Sequence, residues 1–242
     1  MEAIKTIHLT KSYGNFVAVN NLNLTVRQGE LFALLGVNGA GKTTTIKMLS
    51  GLTKPTSGDA FLMGQSILRQ TQQVKALLGI SPQETAVAPN LSVRENLALL
   101  GGLHGLSKEA CAQKVTDLTV QFSFSEILSQ KAGTLSGGWQ RRLSIAMALM
   151  GEPKILFLDE PTLGLDVLAR SELWDAIRGL KDSTTIILTT HYMEEAEALS
   201  DRIGIMNRGS LIALGTPEEL KTRANATRLE DAFVTMIKEA EK

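Results

Sequence analysis

Two short stretches of the chain, Leu31–Leu35 and Ile155–Leu158, are apolar throughout, and a third, Thr184–Thr189, holds the apolar core Ile186, Ile187 and Leu188 between threonines. A strand that is apolar throughout is buried on both faces, as in a parallel sheet covered by helices. These runs therefore predict central strands. Ahead of the first run, Leu22, Leu24 and Val26 alternate with Asn23 and Thr25, the period of a half-buried strand. Gly14-Asn15 and Gln28-Gly29 punctuate as turns, so the first thirty residues are expected to be β-structure. A glycine-rich loop follows Leu35, and a helix is expected from Gly41-Lys42.

The pattern changes to helical spacing between about residues 86 and 150. Ser92-Val93-Arg94-Glu95 fits a capping box, in which serine and glutamate satisfy each other's backbone N–H groups. Leu97, Leu100 and Leu103 follow, and Ser107 reads as the cap of the next helix. This stretch is expected to be an inserted helical subdomain. Beyond it, Glu194, Glu195 and Glu197 suit a helix start, where the dipole favours anions. Arg202–Met206 and Ser210–Leu214 flank Asn207-Arg208-Gly209 as a hairpin, and Thr216-Pro217 opens another helix. Residues 226–242 are expected to form an amphipathic helix. Leu229, Ala232, Phe233, Met236 and Ile237 make its apolar face, which is expected to pack on the main domain, residues 1–225.

Composition narrows the class. Of 242 residues, 43% are hydrophobic and 21% charged, which suits a chain with a real core. The 25 Lys and Arg balance 25 Asp and Glu, which argues against broad attraction to nucleic acid. The single cysteine, Cys111, excludes an internal disulfide and fits a reducing compartment. The apolar runs fall far short of the roughly 20 residues a spanning helix needs. Met1-Glu2-Ala3-Ile4-Lys5 does not open a signal peptide. A soluble cytoplasmic protein is expected.

The chemistry is concentrated in a few motifs. Gly36-Val37-Asn38-Gly39-Ala40-Gly41-Lys42-Thr43 matches the phosphate-binding P-loop, and it lies between a predicted strand and a predicted helix as that pattern requires. Glycines let backbone N–H groups turn inward as an anion nest, and the helix N-terminus adds positive partial charge. Lys42 can reach β- and γ-phosphates, and the Thr43 hydroxyl can ligate Mg²⁺. Asp159 ends a buried strand, where a metal-linked carboxylate belongs, and Glu160 beside it could polarise an attacking water. Leu135-Ser136-Gly137-Gly138 precedes an apolar helical stretch. Two glycines are poor helix formers, so they make sense if the backbone must approach something closely. An isolated Ser-Gly-Gly is more commonly just a loop.

Gly36–Thr43, Leu135–Gly138, Ile155–Glu160 and His191, in that order, resemble the ATP-binding cassette ATPases over nearly the whole chain. The resemblance implies an α/β fold: a RecA-like P-loop NTPase core, an antiparallel β subdomain and the inserted helical subdomain. It implies that Gly36, Val37, Asn38, Gly39, Ala40, Gly41, Lys42, Thr43 and Thr44 bind ATP and that Tyr13 stacks on adenine. Tyr13 alone would read as a strand-end packing residue. Gln83 is implied to link Mg²⁺ and water to the helical subdomain, so that Mg²⁺ is held by Thr43, Gln83 and, through water, Asp159. His191 is implied to contact the γ-phosphate, and Glu160, His191 and Gln83 make the catalytic set. A lone histidine there would more often be structural. His8 and His104 carry no motif. Leu135, Ser136, Gly137 and Gly138 would contact the ATP held by a second copy, in a head-to-tail homodimer that Asp166 also touches. Asp166 is placed to cap a helix bearing Leu173, Trp174 and Ile177 as well. The motif departs from the family in placing Trp139 where glutamine is usual, with Gln140 next; the plain reading of Trp139 is packing.

The segments Thr189–Glu197 and Leu229–Phe233 look like the subfamily that drives ABC-2-type exporters. That implies an ATP-hydrolysing subunit with separate transmembrane permease subunits, peripheral on the inner face of the cell membrane. The alternative is a non-transport cassette ATPase acting on nucleic acid or ribosomes. The neutral charge and the lack of a long coiled coil or second cassette weigh against it. A P-loop kinase or GTPase gives no reason for Ser136-Gly137-Gly138 and lacks an Asn-Lys-x-Asp guanine motif.

Overall fold

The computed structural model describes residues 1–181 and 183–241. In chain order the strands are β1 (Glu2–Tyr13), β2 (Phe16–Leu22), β3 (Thr25–Arg27), β4 (Leu31–Gly36), β5 (Ser57–Leu62), β6 (Gln65–Ser66), β7 (Leu78–Ser81), β8 (Ile155–Asp159), β9 (Thr185–Thr190), β10 (Arg202–Asn207) and β11 (Ser210–Gly215). The helices are α1 (Lys42–Leu49), α2 (Thr71–Ala76), α3 (Val93–Leu103), α4 (Lys108–Gln121), α5 (Gly137–Ala148), α6 (Val167–Arg178), α7 (Met193–Leu199), α8 (Pro217–Arg223) and α9 (Leu229–Ala240). The fold is mixed α/β. It divides into two compact units, Met1–Leu77 with Lys181–Lys242, and Leu78–Leu180.

In the first unit β4 runs parallel to β10 on one side and β9 on the other, and all of its residues are buried. Its wholly apolar sequence is thus explained: neither face meets water. Partly buried Arg202 pairs with buried Glu30 at 3.1 Å where β10 and β4 begin. β11 folds back antiparallel on β10 through Arg208 and Gly209, whose φ values of 44° and 81° give the turn that matches strand twist. An antiparallel sheet in the order β2–β1–β5–β6, with β3 also on β1, forms the rest. The alternation at Leu22, Leu24 and Val26 is correct for burial but not for continuity. Leu22 ends β2 and Val26 lies in β3, because the chain leaves one partner register of β1 and enters another between them. α9 lies in this unit, with Leu229, Ala232, Phe233 and Met236 buried against α7, α8 and the β10–β11 hairpin. Burial of side chains the size of Leu229, Phe233 and Met236 contributes about 1.5–3 kcal/mol each before entropy.

In the second unit β7 and β8 pair in parallel, Leu78 opposite Ile155 and Ser81 opposite Leu158. α5 packs on β7, α3 and α6. Both serine caps form: Ser92 with Glu95 closes a capping box on α3, and Ser107 caps α4. The helical spacing of Leu97, Leu100 and Leu103 does not make one buried row, since Leu103 is exposed. Steps of three residues drift around a helix by about 60° each, so Leu97 is buried, Leu100 half-buried and Leu103 outside. The buried row is instead Val93, Asn96, Leu97 and Gly101. Among the described residues no helix is long and apolar enough to cross a membrane.

Candidate functional site

The first unit gathers one set of predicted residues at one sheet edge. Gly36 ends β4, and the loop Val37–Gly41 carries the chain into α1. Gly41 sits at φ 106°, and a Cβ there would lie 2.5 Å from the Ala18 carbonyl of β2. Only glycine can hold that position. The β10–β11 hairpin closes the other side, with the Gly209 N–H donating to the Ala40 carbonyl at 3.0 Å. α1 has no side-chain cap and no acidic residue in its first turn, so its leading N–H groups suit an anion. Lys42 is buried, and its Nζ donates to the Gly36 carbonyl at 2.7 Å and the Val37 carbonyl at 3.3 Å. Thr43 is exposed and Thr44 half-buried.

Leu35 of β4 pairs with Thr190 of β9, so His191 leaves the sheet beside the phosphate loop. Its ring packs on Tyr192 with centroids 4.1 Å apart, and the Tyr192 N–H donates to the Thr190 hydroxyl at 2.9 Å, which shapes the turn. Tyr13 ends β1 opposite Phe16 in the hairpin that continues to Ala18. Tyr13 is 50% exposed and Phe16 63%, with Lys11 Nζ 4.9 Å from the Tyr13 ring centre. An aromatic left this open is available for stacking, which its reading as a packing residue does not require.

The second unit gathers the others. Ser81 of β7 pairs with Leu158 of β8, so Pro82-Gln83 and Asp159-Glu160 leave adjacent parallel strands at the same edge. Asp159 and Glu160 are buried, and Gln83 is exposed. Glu160 holds φ 50°, a left-handed conformation that side chains avoid. At α5 the cap position is Ser136, yet its side chain makes no cap bond and the first turn holds no acid. The side chains at the corresponding positions of α3, α4, α6 and α8 (Ser92, Ser107, Asp166 and Thr216) all cap. The hydroxyl and leading N–H groups of α5 therefore remain directed to a ligand or solvent. The two glycines differ. A Cβ on Gly138 would come 3.2 Å from Ala169 Cβ of α6, tight enough that Ala169 would have to give way by a few tenths of an ångström; a Cβ on Gly137 would meet nothing within 4 Å. Leu135, just before them, is buried. Asp166 accepts the Ala169 N–H at 2.9 Å as the cap of α6, on which Leu173 and Ile177 are buried. Trp139 packs on Phe124 and lies under the Arg142 guanidinium, which also pairs with Glu172 of α6.

A family model described as ABC transporter matches residues 19–163. The chain belongs to the ABC transporter family. The probable multidrug ABC transporter ATP-binding protein YbhF of Escherichia coli (strain K12) is 41% identical over 99% of this chain and 42% of its own length. The chain thus spans less than half of that relative. The doxorubicin resistance ATP-binding protein DrrA of Mycobacterium tuberculosis is 42% identical over 94% of this chain and 69% of its own length. A solved structure of an ATP-binding subunit of an ABC transporter superposes with a TM-score of 0.86 at 27% identity, covering 97% of this chain and 99% of that one. The α/β P-loop fold expected from the resemblance is therefore the fold found.

Several residues around this ABC-family site were not singled out from sequence. Arg141 donates to the Pro82 and Gln83 carbonyls, and fully buried Asn96 holds the Ala88 backbone. One signal was available for the first: a cation in the opening turns of a helix opposes the dipole and needs a reason. A buried asparagine on an apolar helix face gives no comparable signal until its partners are known. For a metal, no group of three or more His, Cys, Asp or Glu side chains stands together among the described residues. Mg²⁺ does not need one. It keeps waters and is bound by one or two protein oxygens together with substrate phosphates, and the Thr43 hydroxyl of the first unit and the Asp159 carboxylate of the second are each a donor of that kind.

Proposed function

We propose that this chain is the ATP-binding and ATP-hydrolysing subunit of an exporter. Two copies pair head-to-tail around two ATP molecules and drive separate transmembrane permease subunits from the inner face of the membrane. The observation that carries the reading is that, among the described helices of eight residues or more, two begin with neither a side-chain cap nor an acid in the first turn. One, α1, belongs to the P-loop. The other, α5, starts at Ser136, a capping-type side chain that does not cap. A single nucleotide gives no reason for both, whereas a head-to-tail pair makes two equivalent sites, each with one of either kind. The export direction rests on relatives named for multidrug transport and doxorubicin resistance.

The chemistry follows from the side chains. Phosphoryl transfer needs positioning and charge neutralisation rather than a covalent intermediate. Lys42 exchanges its two loop carbonyls for β- and γ-phosphate oxygens. Tyr13 stacks on the adenine ring. Glu160 accepts a proton from the attacking water, and His191 donates to a γ-phosphate oxygen. Thr43 and Gln83, with Asp159 through water, would hold Mg²⁺, which would supply charge neutralisation for the phosphates. Binding closes the pair, hydrolysis opens it, and the Gln83 loop with the helical subdomain passes the motion to the permease.

The test is Glu160→Gln. The variant should bind ATP, persist as a dimer in size-exclusion chromatography with light scattering, and hydrolyse ATP at least about a hundredfold more slowly. Near-normal hydrolysis would remove Glu160 from its role. Affinity purification from membranes should bring down permease chains. Recovery of ribosomes or DNA instead would favour the non-transport alternative, which the neutral net charge does not support.

A further inference from the structure

α5 begins at the Ser136-Gly137-Gly138 turn, and one turn further on it carries Arg141, which is 5% exposed. A buried guanidinium must be compensated. Arg141 Nη1 donates to the Pro82 carbonyl at 2.6 Å and Nη2 to the Gln83 carbonyl. Three residues along the same helix, buried Ser144 shares a hydroxyl hydrogen bond of 3.0 Å with buried Ser81. Consecutive residues 81–83 are therefore tied to one face of α5. The far end of the loop is held from α3. Asn96 Oδ1 accepts the Ala88 N–H at 2.8 Å, and its Nδ2 donates to the carbonyls of Ala88 at 3.1 Å and Leu91 at 3.2 Å. Between the two clamps the Gln83 side chain is exposed. A charged fork reaching two carbonyls is a stronger and more directional tie than neutral bonds, and lysine cannot reproduce it.

We propose that Arg141 is a positioning residue that makes the placement of Gln83 follow the orientation of the signature helix. The proposal rests on the function above. In that arrangement Ser136–Gly138 answers the second copy's ATP, while Gln83 serves the ATP on this chain's own P-loop. Arg141 lies on the same rigid helix as the first and grips the backbone of the second. Engagement of one nucleotide is thereby relayed within one protomer to catalysis on the other.

Wild type, Arg141→Ala, Arg141→Lys, Gln83→Ala and the Arg141→Ala/Gln83→Ala double variant test this in the purified chain. In nucleotide-free protein, hydrogen–deuterium exchange should rise at the amides of residues 83–87 in Arg141→Ala and stay unchanged in α1. In steady-state hydrolysis, kcat should fall about 10–100-fold, as for supporting residues that orient ligands. The ATP concentration for half-saturation should stay within about twofold, because P-loop binding is untouched. The Hill coefficient for ATP should fall toward one. The loss should not add to that of Gln83→Ala, since both act through one group. Arg141→Lys should lie between wild type and Arg141→Ala. Unchanged loop exchange, unchanged kcat, or losses that multiply in the double variant would overturn the proposal. If Arg141→Ala does not fold, Arg141→Lys decides by the same exchange and kcat readouts. Wild-type turnover in Gln83→Ala would instead remove Gln83 from the site, and the proposal would fall with that reading.

Discussion

Glu160 follows a fully buried strand with φ at 50°, next to a carboxylate that is itself buried. A left-handed conformation costs a non-glycine residue on the order of 1 kcal/mol or more, and such strain persists where surrounding structure imposes it. Glu160→Gly should therefore raise unfolding stability by about 1 kcal/mol relative to Glu160→Gln, which keeps the strain, while neither variant turns over ATP. Equal melting temperatures would show that no strain is stored there. Lys42 presents the converse case. Its charge is already compensated by two loop carbonyls before any ligand arrives, so the loop holds its shape around it. Lys42→Ala should weaken ATP binding at least about tenfold, because a charge-assisted contact to phosphate is lost. A fluorescent nucleotide titration would read this.

Between residue and molecule, α5 separates the demands of packing from those of function. Gly138 is constrained by Ala169, whereas Gly137 has open space around its missing Cβ. Replacing a helical glycine by alanine stabilises by up to about 1 kcal/mol when nothing clashes. Gly137→Ala should thus melt higher than wild type and yet impair ATP-driven pairing, while Gly138→Ala should gain no stability. A Gly137→Ala chain with full activity would mean that nothing approaches that turn closely. α3 is simpler. Ser92 and Glu95 cap each other's backbone, at 2.7 Å for Ser92 N–H to the carboxylate. That backbone hydrogen bond, followed by the Ser92 hydroxyl, holds the Glu95 carboxyl below its ordinary range. A group whose pKa is depressed on folding stabilises above its unfolded pKa and loses that contribution as pH falls through the folded value. The α3 cap should therefore persist at neutral pH and fade only in acid below the usual carboxylate range. Ser92→Ala should cost about 1 kcal/mol by chemical denaturation.

At the scale of the molecule, the family, the P-loop, three central strands and the starts of several helices were legible in local sequence, whereas β5, β6, α2 and β7 were not. Apolar runs without alternation marked β4, β8 and β9 because parallel strands are buried on both faces. Serine, threonine and aspartate at caps marked α3, α4, α6 and α8 because capping is settled within four residues. The proposed pair belongs to this scale too: light scattering should show a monomer without nucleotide and a dimer with ATP in Glu160→Gln, and a monomer under both conditions would remove the pair. Tertiary structure alone decided the break between β2 and β3, which depends on which register of β1 each stretch takes. It alone decided that Leu103, spaced like Leu97 and Leu100, is exposed. It alone revealed the clamps on the Gln83 loop, since Arg141 meets residues nearly sixty positions earlier. By itself the sequence determined which chemistry the chain can carry, because phosphate loops, caps and buried strands are written in neighbouring residues. Which helix grips which loop was left to the fold, because such pairs are distant in sequence and become neighbours only when the chain packs.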